Sequence, residues 1–217
     1  MRTRVQEQIV WTLLAAMLSG PPSIAADSTS VIAGLARPLP AVTAFRELRF
    51  SSMLKEPVVV SGKLEIDAAG NMIRHVELPF VETTTITGDR VSIERDENTR
   101  VFSLRRAPEL ESLLAAFRAL VSGDSATLDE SFAVSLETGS AAANSAKDWR
   151  LDLTPKSPRL AKRIARILVT GVGAEPHCLT LQEPSHGGSV LLLGSLAAAE
   201  LPKPPSRERL DALCAGG

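Results

Sequence analysis

The chain has 217 residues, 24 of them Lys or Arg and 25 Asp or Glu, and only 4% are aromatic. This near-neutral balance argues against a basic surface for nucleic acid or an anionic membrane. The scarcity of aromatic rings argues against a stacking platform for bases or sugars.

Residues 1–26 have the pattern of a secretory signal peptide. Arg2 and Arg4 supply positive charge, residues 9–18 are mostly apolar, and small residues precede a cleavage site after Ala25 or Ala26. A membrane anchor is the alternative, but the apolar run is shorter than the about 20 residues that a spanning helix needs. No cysteine follows the run as a site for a lipid anchor. We therefore expect a soluble periplasmic protein with one domain over residues 27–217.

Six short strands are predicted after a short helix that contains Val31, Ile32 and Leu35. Apolar and polar residues alternate along each strand, as on a sheet with one buried face. Gly62 interrupts the second strand and suggests a bend or bulge. The predicted strands are residues 43–51, 58–66, 72–78, 81–87, 90–95 and 100–104.

A helix is predicted from Pro108 to Asp124. Pro108 suits the first helical position, and Gly123 is placed to end the helix. The apolar stripe of this helix consists of Leu110, Leu113, Leu114, Phe117, Leu120 and Val121. A helix between two groups of strands must lie across a sheet, or over the mouth of a curved one. The stripe is either ordinary core or the cover of a cavity.

Five more strands follow the helix, at residues 131–137, 149–153, 164–170, 177–183 and 189–196. A polar loop is predicted at 139–147, a helical turn at 160–163 and an extended tail before 207–213. Hairpin connections over about eleven strands curl a sheet toward a barrel. The predicted fold class is mainly β with helices: an incomplete antiparallel β-barrel with a helical lid over a hydrophobic cavity.

Cys178 and Cys214 are the only cysteines, and export exposes them to an oxidising compartment. They either form a disulfide that ties the C-terminal tail to a strand, or remain two buried thiols. His75, His177 and His186 lack the spacing of a zinc site, and there is no nucleophile elbow. We therefore expect no catalytic residues, metal or cofactor.

Several motifs, taken in order, resemble the LolA-like carriers of outer-membrane lipoproteins, in a divergent branch. They are Ala44–Phe50, Leu54–Pro57, Ser61–Leu64, Ile73-Arg74, Pro79, Ile86–Val91, the helix ending at Gly123-Asp124, and Trp149–Pro155. The resemblance covers residues 40–195. It implies a non-enzymatic periplasmic monomer that binds the acyl chains of a lipoprotein or other lipid and passes it toward the outer membrane. An inner-membrane releasing transporter and an outer-membrane receptor are the implied partners.

Inward residues of the predicted strands are expected to line the cavity, and the helix is expected to close it. The predicted wall is Leu48, Phe50, Leu64, Ile66, Val91, Ile93, Phe132, Val134, Leu136, Trp149 and Leu151. The predicted lid is Leu113, Leu114, Phe117 and Leu120.

Two features depart from the family pattern. The better-known carriers latch the lid with an arginine on the strand before a turn, but the turn at 66–70 has none nearby, and Arg74 is not a simple replacement. The wall is also aliphatic rather than aromatic, which favours a glycolipid or polyene lipid as cargo. A sensor or adaptor module of the same fold, or an envelope acyl hydrolase, remains an alternative.

Overall fold

The structure is a computed structural model that describes residues 27–138 and 148–215. The predicted signal peptide at 1–26 and the predicted loop at 139–147 therefore lie outside the described residues. None of the described helices is long and apolar enough to cross a membrane.

Eleven antiparallel strands form one open sheet, in the order β6-β5-β4-β3-β2-β1-β11-β10-β9-β8-β7. This confirms the predicted fold class as an incomplete barrel with helices. The strands are β1 Ala41–Phe50, β2 Val58–Ile66, β3 Met72–Leu78, β4 Glu82–Thr87, β5 Arg90–Arg95, β6 Asn98–Ser103, β7 Phe132–Thr138, β8 Asp148–Pro155, β9 Arg166–Val172, β10 Glu175–Gln182 and β11 Gly188–Leu193.

Five α-helices accompany the sheet in the described residues, together with 3-10 turns at Leu104–Arg106 and Gly194–Ala198. The helices are α1 Ser28–Gly34, α2 Pro108–Ser122, α3 Ser125–Ser131, α4 Pro158–Ala161 and α5 Arg207–Ala215. Helix α3 was not predicted. Asp124 caps its start, and the Asp124 carboxylate accepts hydrogen bonds from the backbone N–H (3.1 Å) and hydroxyl (2.6 Å) of Thr127.

Hairpin turns join several neighbouring strands, and the turn between β2 and β3 shows why these residues reverse the chain. The Asp67 Oδ1 atom accepts hydrogen bonds from the backbone N–H groups of Ala69 (2.8 Å) and Asn71 (2.9 Å). Gly70 adopts a φ of 82°, which a residue with a side chain rarely tolerates. Side-chain and backbone hydrogen bonds from Asn71 lower the pKa of Asp67, so the turn favours the ionised carboxylate.

Both sides of the central strands are covered. We call the side that packs against α2 the helix-facing side and the opposite side the outer side. On the outer side, Leu48 and Leu192 pack with Leu196, Leu210 and the two cysteines. The largest core cluster lies on the helix-facing side, where α1, α2 and α3 cover β7 to β10. A candidate ligand site must therefore be sought on the helix-facing side, beneath α2.

Candidate functional site: the apolar side of the sheet beneath helix α2

Helix α2 is the connection between the two edge strands, since it follows β6 and precedes β7 through α3. Pro108 occupies the start of the helix, with Glu109 and Glu111 in its first turn. Gly123 ends it with a φ of 73°, in the left-handed conformation of a helix C-cap. The helix lies across the sheet, as expected, and contacts residues near both of its edges.

The two halves of α2 pack against different parts of the sheet. Leu110 and Leu114 in the first half contact a cluster that contains Val91 and Leu104, near β5 and β6. Ala116, Ala119 and Leu120 in the second half belong to the main core over β7 to β10. Because one helix contacts both ends of the strand order, it spans the opening of the incomplete barrel.

Polar contacts hold α2 in this position. Arg159 of α4 donates from Nε to Glu109 Oε1 at 2.7 Å, and Arg118 donates to the carbonyl of Gly88 at 3.3 Å. The backbone N–H at the helix start and the Arg159 guanidinium both lower the pKa of Glu109. The backbone N–H of Arg37 also donates to the carbonyl of Val121 at 3.2 Å. These contacts are at the helix surface, so each contributes modestly and can break when the helix moves.

Nine of the eleven predicted wall residues lie on the helix-facing side. Four of them, Val91, Phe132, Trp149 and Leu151, are buried. The other five, Leu64, Ile66, Ile93, Val134 and Leu136, are half-buried. The Trp149 indole donates to the carbonyl of Gly173 at 2.8 Å, which fixes the ring at one end of the side. The half-buried residues are apolar surface that a ligand could cover.

Leu48 and Phe50 were wrongly expected to line the same side as the other nine. The pairing of β1 with β11 places Phe45, Glu47 and Arg49 on the helix-facing side. Leu48 and Phe50 instead pack in the outer cluster with Leu192 and Leu210. The C-terminal segment covers the outer side, where it buries Leu48 and half-buries Phe50.

The predicted lid residues fall into two groups. Leu114 and Leu120 are buried, at 8% and 7% exposure, whereas Leu113 and Phe117 are half-buried against the main core. Leu113 and Phe117 thus lie where the helix and the half-buried apolar residues of the sheet meet. Substitutions of Leu113 or Phe117 should therefore perturb the contact between α2 and the sheet more than the buried core.

A group of charged residues, which the sequence interpretation did not assign to the site, also lies on the helix-facing side. Glu47 pairs with Arg74 at 2.8 Å and with Arg49 at 2.9 Å, while Glu82 lies 3.9 Å from Arg74. The guanidinium of Arg74 stacks 4.8 Å from the centre of the Phe45 ring. Burial lowers the pKa of Arg74, and the charge of Glu47 opposes this shift. Arg74 therefore pairs with carboxylates of the sheet wall.

Gly62 explains how Arg74 on β3 reaches Phe45 and Glu47 on β1. Gly62 is the β2 residue paired with Phe45, and it places no side chain between β1 and β3. A Cβ atom at Gly62 would lie 1.9 Å from the carbonyl oxygen of His75, at the register shift between β2 and β3. The bend expected at this glycine is thus a bulge with a close backbone approach.

Cys178 on β10 and Cys214 on α5 are joined by a disulfide on the outer side, with an S–S distance of 2.05 Å. Residues 27–138 and 148–215 contain no group of three His, Cys, Asp or Glu residues that could hold a metal ion.

An open antiparallel sheet with an apolar-faced helix packed across one side defines the class of incomplete-barrel proteins with a helical cover. The sequence model of the family described as outer membrane lipoprotein carrier protein LolA-like matches residues 19–217, and the chain belongs to this family.

Several solved structures are similar in fold. A LolA superfamily protein from Nitrosomonas europaea, NE2245, is 12% identical, with 82% of this chain and 96% of that chain covered and a TM-score of 0.39. LprF from Mycobacterium bovis is 13% identical, with 83% and 94% covered and a TM-score of 0.36. The lipoprotein LppX from Mycobacterium tuberculosis is 9% identical, with 80% and 98% covered and a TM-score of 0.41. No curated protein matches the chain.

Proposed function

We propose that this protein is a non-enzymatic periplasmic carrier that binds the acyl chains of a lipoprotein or another lipid between α2 and the helix-facing side of the sheet. It passes this cargo toward the outer membrane. The observation that carries the proposal is the position of α2, which spans the opening of the sheet above half-buried apolar residues. Membership of the LolA-like family, named for lipoprotein carriers, supports the same function.

The energetics favour such a complex. Each buried CH₂ group contributes about 0.8 kcal/mol, so a chain of about twelve carbons gains on the order of 10 kcal/mol before costs. Displacing α2 offsets much of this gain, because the buried Leu114 and Leu120 leave the core together with the half-buried Leu113 and Phe117. The surface contacts of Glu109 and Arg118 add little to that cost. A lipid can therefore exchange with the helix for the same apolar surface.

The remaining parts of the proposal concern the cellular route. Residues 1–26 act as a cleaved signal peptide, and residues 27–217 act as one carrier domain in the periplasm. An inner-membrane transporter loads the cargo, and an outer-membrane receptor accepts it, as the family implies. The mass of the protein purified from the periplasm tests the cleavage site after Ala25 or Ala26.

The experiment that tests lipid binding is native mass spectrometry with lipid extraction, on protein purified gently from the periplasm. We expect a co-purifying acylated molecule, and we expect Leu113→Asp or Phe117→Asp to remove it. Ser122→Asp is the matched control, because it places the same charge at an exposed position of α2 and should retain the cargo. A protein that is empty and also takes up no fluorescent fatty acid would show that the stripe of α2 is only core.

A further inference from the structure

We infer that the carrier also has a headgroup site, at the end of the helix-facing side between β1 and the β10–β11 hairpin, and that this site binds an uncharged, hydroxyl-rich headgroup. This inference rests on the proposed lipid-carrier function. The site is an open recess of about 400 Å³. Its lining includes Glu47, Arg49, Ser52, Leu181, Glu183 and Ser189.

The recess is continuous with the apolar side of the sheet. Arg49 pairs with Ser189, Ser189 with Leu181, and Leu181 with Ile167. Side chains at such paired positions lie about 5 Å apart on the same side. This row therefore runs from a charged residue through a hydroxyl to the main core, where Leu181 packs and Ile167 is buried. Leu181 thus belongs both to the recess and to the apolar core beneath α2, so a lipid tail that displaces α2 there would place its polar end next to the recess.

The charges of the recess select against an ionic headgroup. Two carboxylates, Glu47 and Glu183, line it together with one guanidinium, Arg49. A phosphate would meet both carboxylates, and an ammonium group would meet the guanidinium, so each suffers repulsion as well as attraction. Arg74 also donates a hydrogen bond to Glu47, as Arg49 does, so two guanidinium groups balance the two carboxylates and the recess is close to neutral overall.

The hydrogen-bonding groups of the recess match hydroxyl groups. Carboxylates accept, guanidinium groups donate, and serine hydroxyls do both. Four serines line the recess, namely Ser51, Ser52, Ser185 and Ser189. A sugar or polyol hydroxyl also donates and accepts, so it can satisfy all three kinds of partner. Recognition then depends mainly on hydrogen bonds, because Phe50, the one aromatic residue in the lining, packs against the outer cluster and under the guanidinium of Arg207.

The test compares lipids that share a twelve-carbon tail and differ only at the headgroup. Dodecyl glucoside, dodecyl phosphate, dodecylphosphocholine and dodecanoic acid are titrated into the full mature protein by calorimetry, below their micelle concentrations. We expect dodecyl glucoside to bind about tenfold more tightly than the three ionic probes.

The matched variants separate the recess from the apolar groove. Ser52→Ala with Ser189→Ala should weaken dodecyl glucoside about tenfold and leave dodecanoic acid within about twofold. Ser157→Ala with Ser195→Ala, at exposed serines outside the recess, should change neither. Thermal unfolding of each variant verifies that it folds.

The outcomes distinguish the two proposals. Equal affinity for all four headgroups, with no effect of the serine variants, would overturn the headgroup site and leave lipid binding standing. Preference for an ionic probe would overturn the assignment of a hydroxyl-rich headgroup. Absence of binding for every probe would overturn both the headgroup site and the carrier function.

Discussion

The disulfide between Cys178 and Cys214 is expected to supply a large share of the stability of the protein. The two cysteines are 36 residues apart in sequence. Closing a loop of that size removes entropy from the unfolded chain that corresponds to about 4 kcal/mol at 25 °C. For a domain of about 190 residues this lowers Tm by about 10 °C when the bond is lost. The bond lies on the outer side, so its loss should leave lipid binding intact.

The assay compares guanidinium and thermal unfolding of the oxidised wild type, the reduced wild type and the Cys178→Ala, Cys214→Ala double variant. Oxidised and reduced wild type share every side chain, so their difference isolates the bond itself. The denaturant slope should also rise on reduction, because an unfolded chain without the cross-link exposes more surface. A loss of less than about 1 kcal/mol in both comparisons would refute the loop-closure reasoning.

Two further substitutions test local features of the fold. Gly62→Ala should cost about 3 kcal/mol or more in chemical denaturation, because its Cβ would lie 1.9 Å from the His75 carbonyl oxygen. Gly34→Ala, which meets nothing within 4 Å, should stay within about 0.5 kcal/mol, and equal losses would contradict the close approach at Gly62. Asp124→Ala should lower Tm at pH 7, because the Thr127 hydrogen bonds that lower the Asp124 pKa below its ordinary 3.8 are lost. That difference is fully present above pH 3.8 and should vanish as pH falls through the lowered folded pKa; a difference that persists in strong acid would show that the charge is not its cause.

The strands and the covering helix could be predicted because their sequence patterns are local. Period-two alternation placed β2, β3 and β5 with the observed bounds, and the three- and four-residue spacing of the stripe placed α2. Helix α3 could not be found in this way, since it is only seven residues long and contributes one buried residue, Leu128. Its available signal was the capping pair of Asp124 and Thr127.

The sides of β1 could not be predicted from hydrophobicity, because the strand is buried on both sides. Phe45 is 1% exposed on the helix-facing side, and Leu48 is 0% exposed on the outer side. The more apolar set at the end of the strand, Leu48 and Phe50, faces the C-terminal helix. The charged set, Glu47 and Arg49, faces the candidate ligand site, because Arg74 on β3, which reaches across Gly62 of β2, offsets the burial of Glu47. The orientation of the β1 side chains becomes evident only from the pairing of β1 with β11, which is distant in sequence.

The chain path through α2 makes the covering helix a mechanical link between the two ends of the sheet. Its first residue follows the 3-10 turn after β6, and Asp124 is the only residue between its C-cap and α3, which leads directly into β7. Any motion that spreads β6 from β7 must therefore pull on both ends of α2, and any tilt of α2 must change the separation of those strands. The sheet therefore cannot flatten without displacing α2, and α2 cannot be displaced without changing the shape of the sheet. Spin labels at Thr99 and Ser135, one on each edge strand and both on the outer side, would report the position of the helix without touching it.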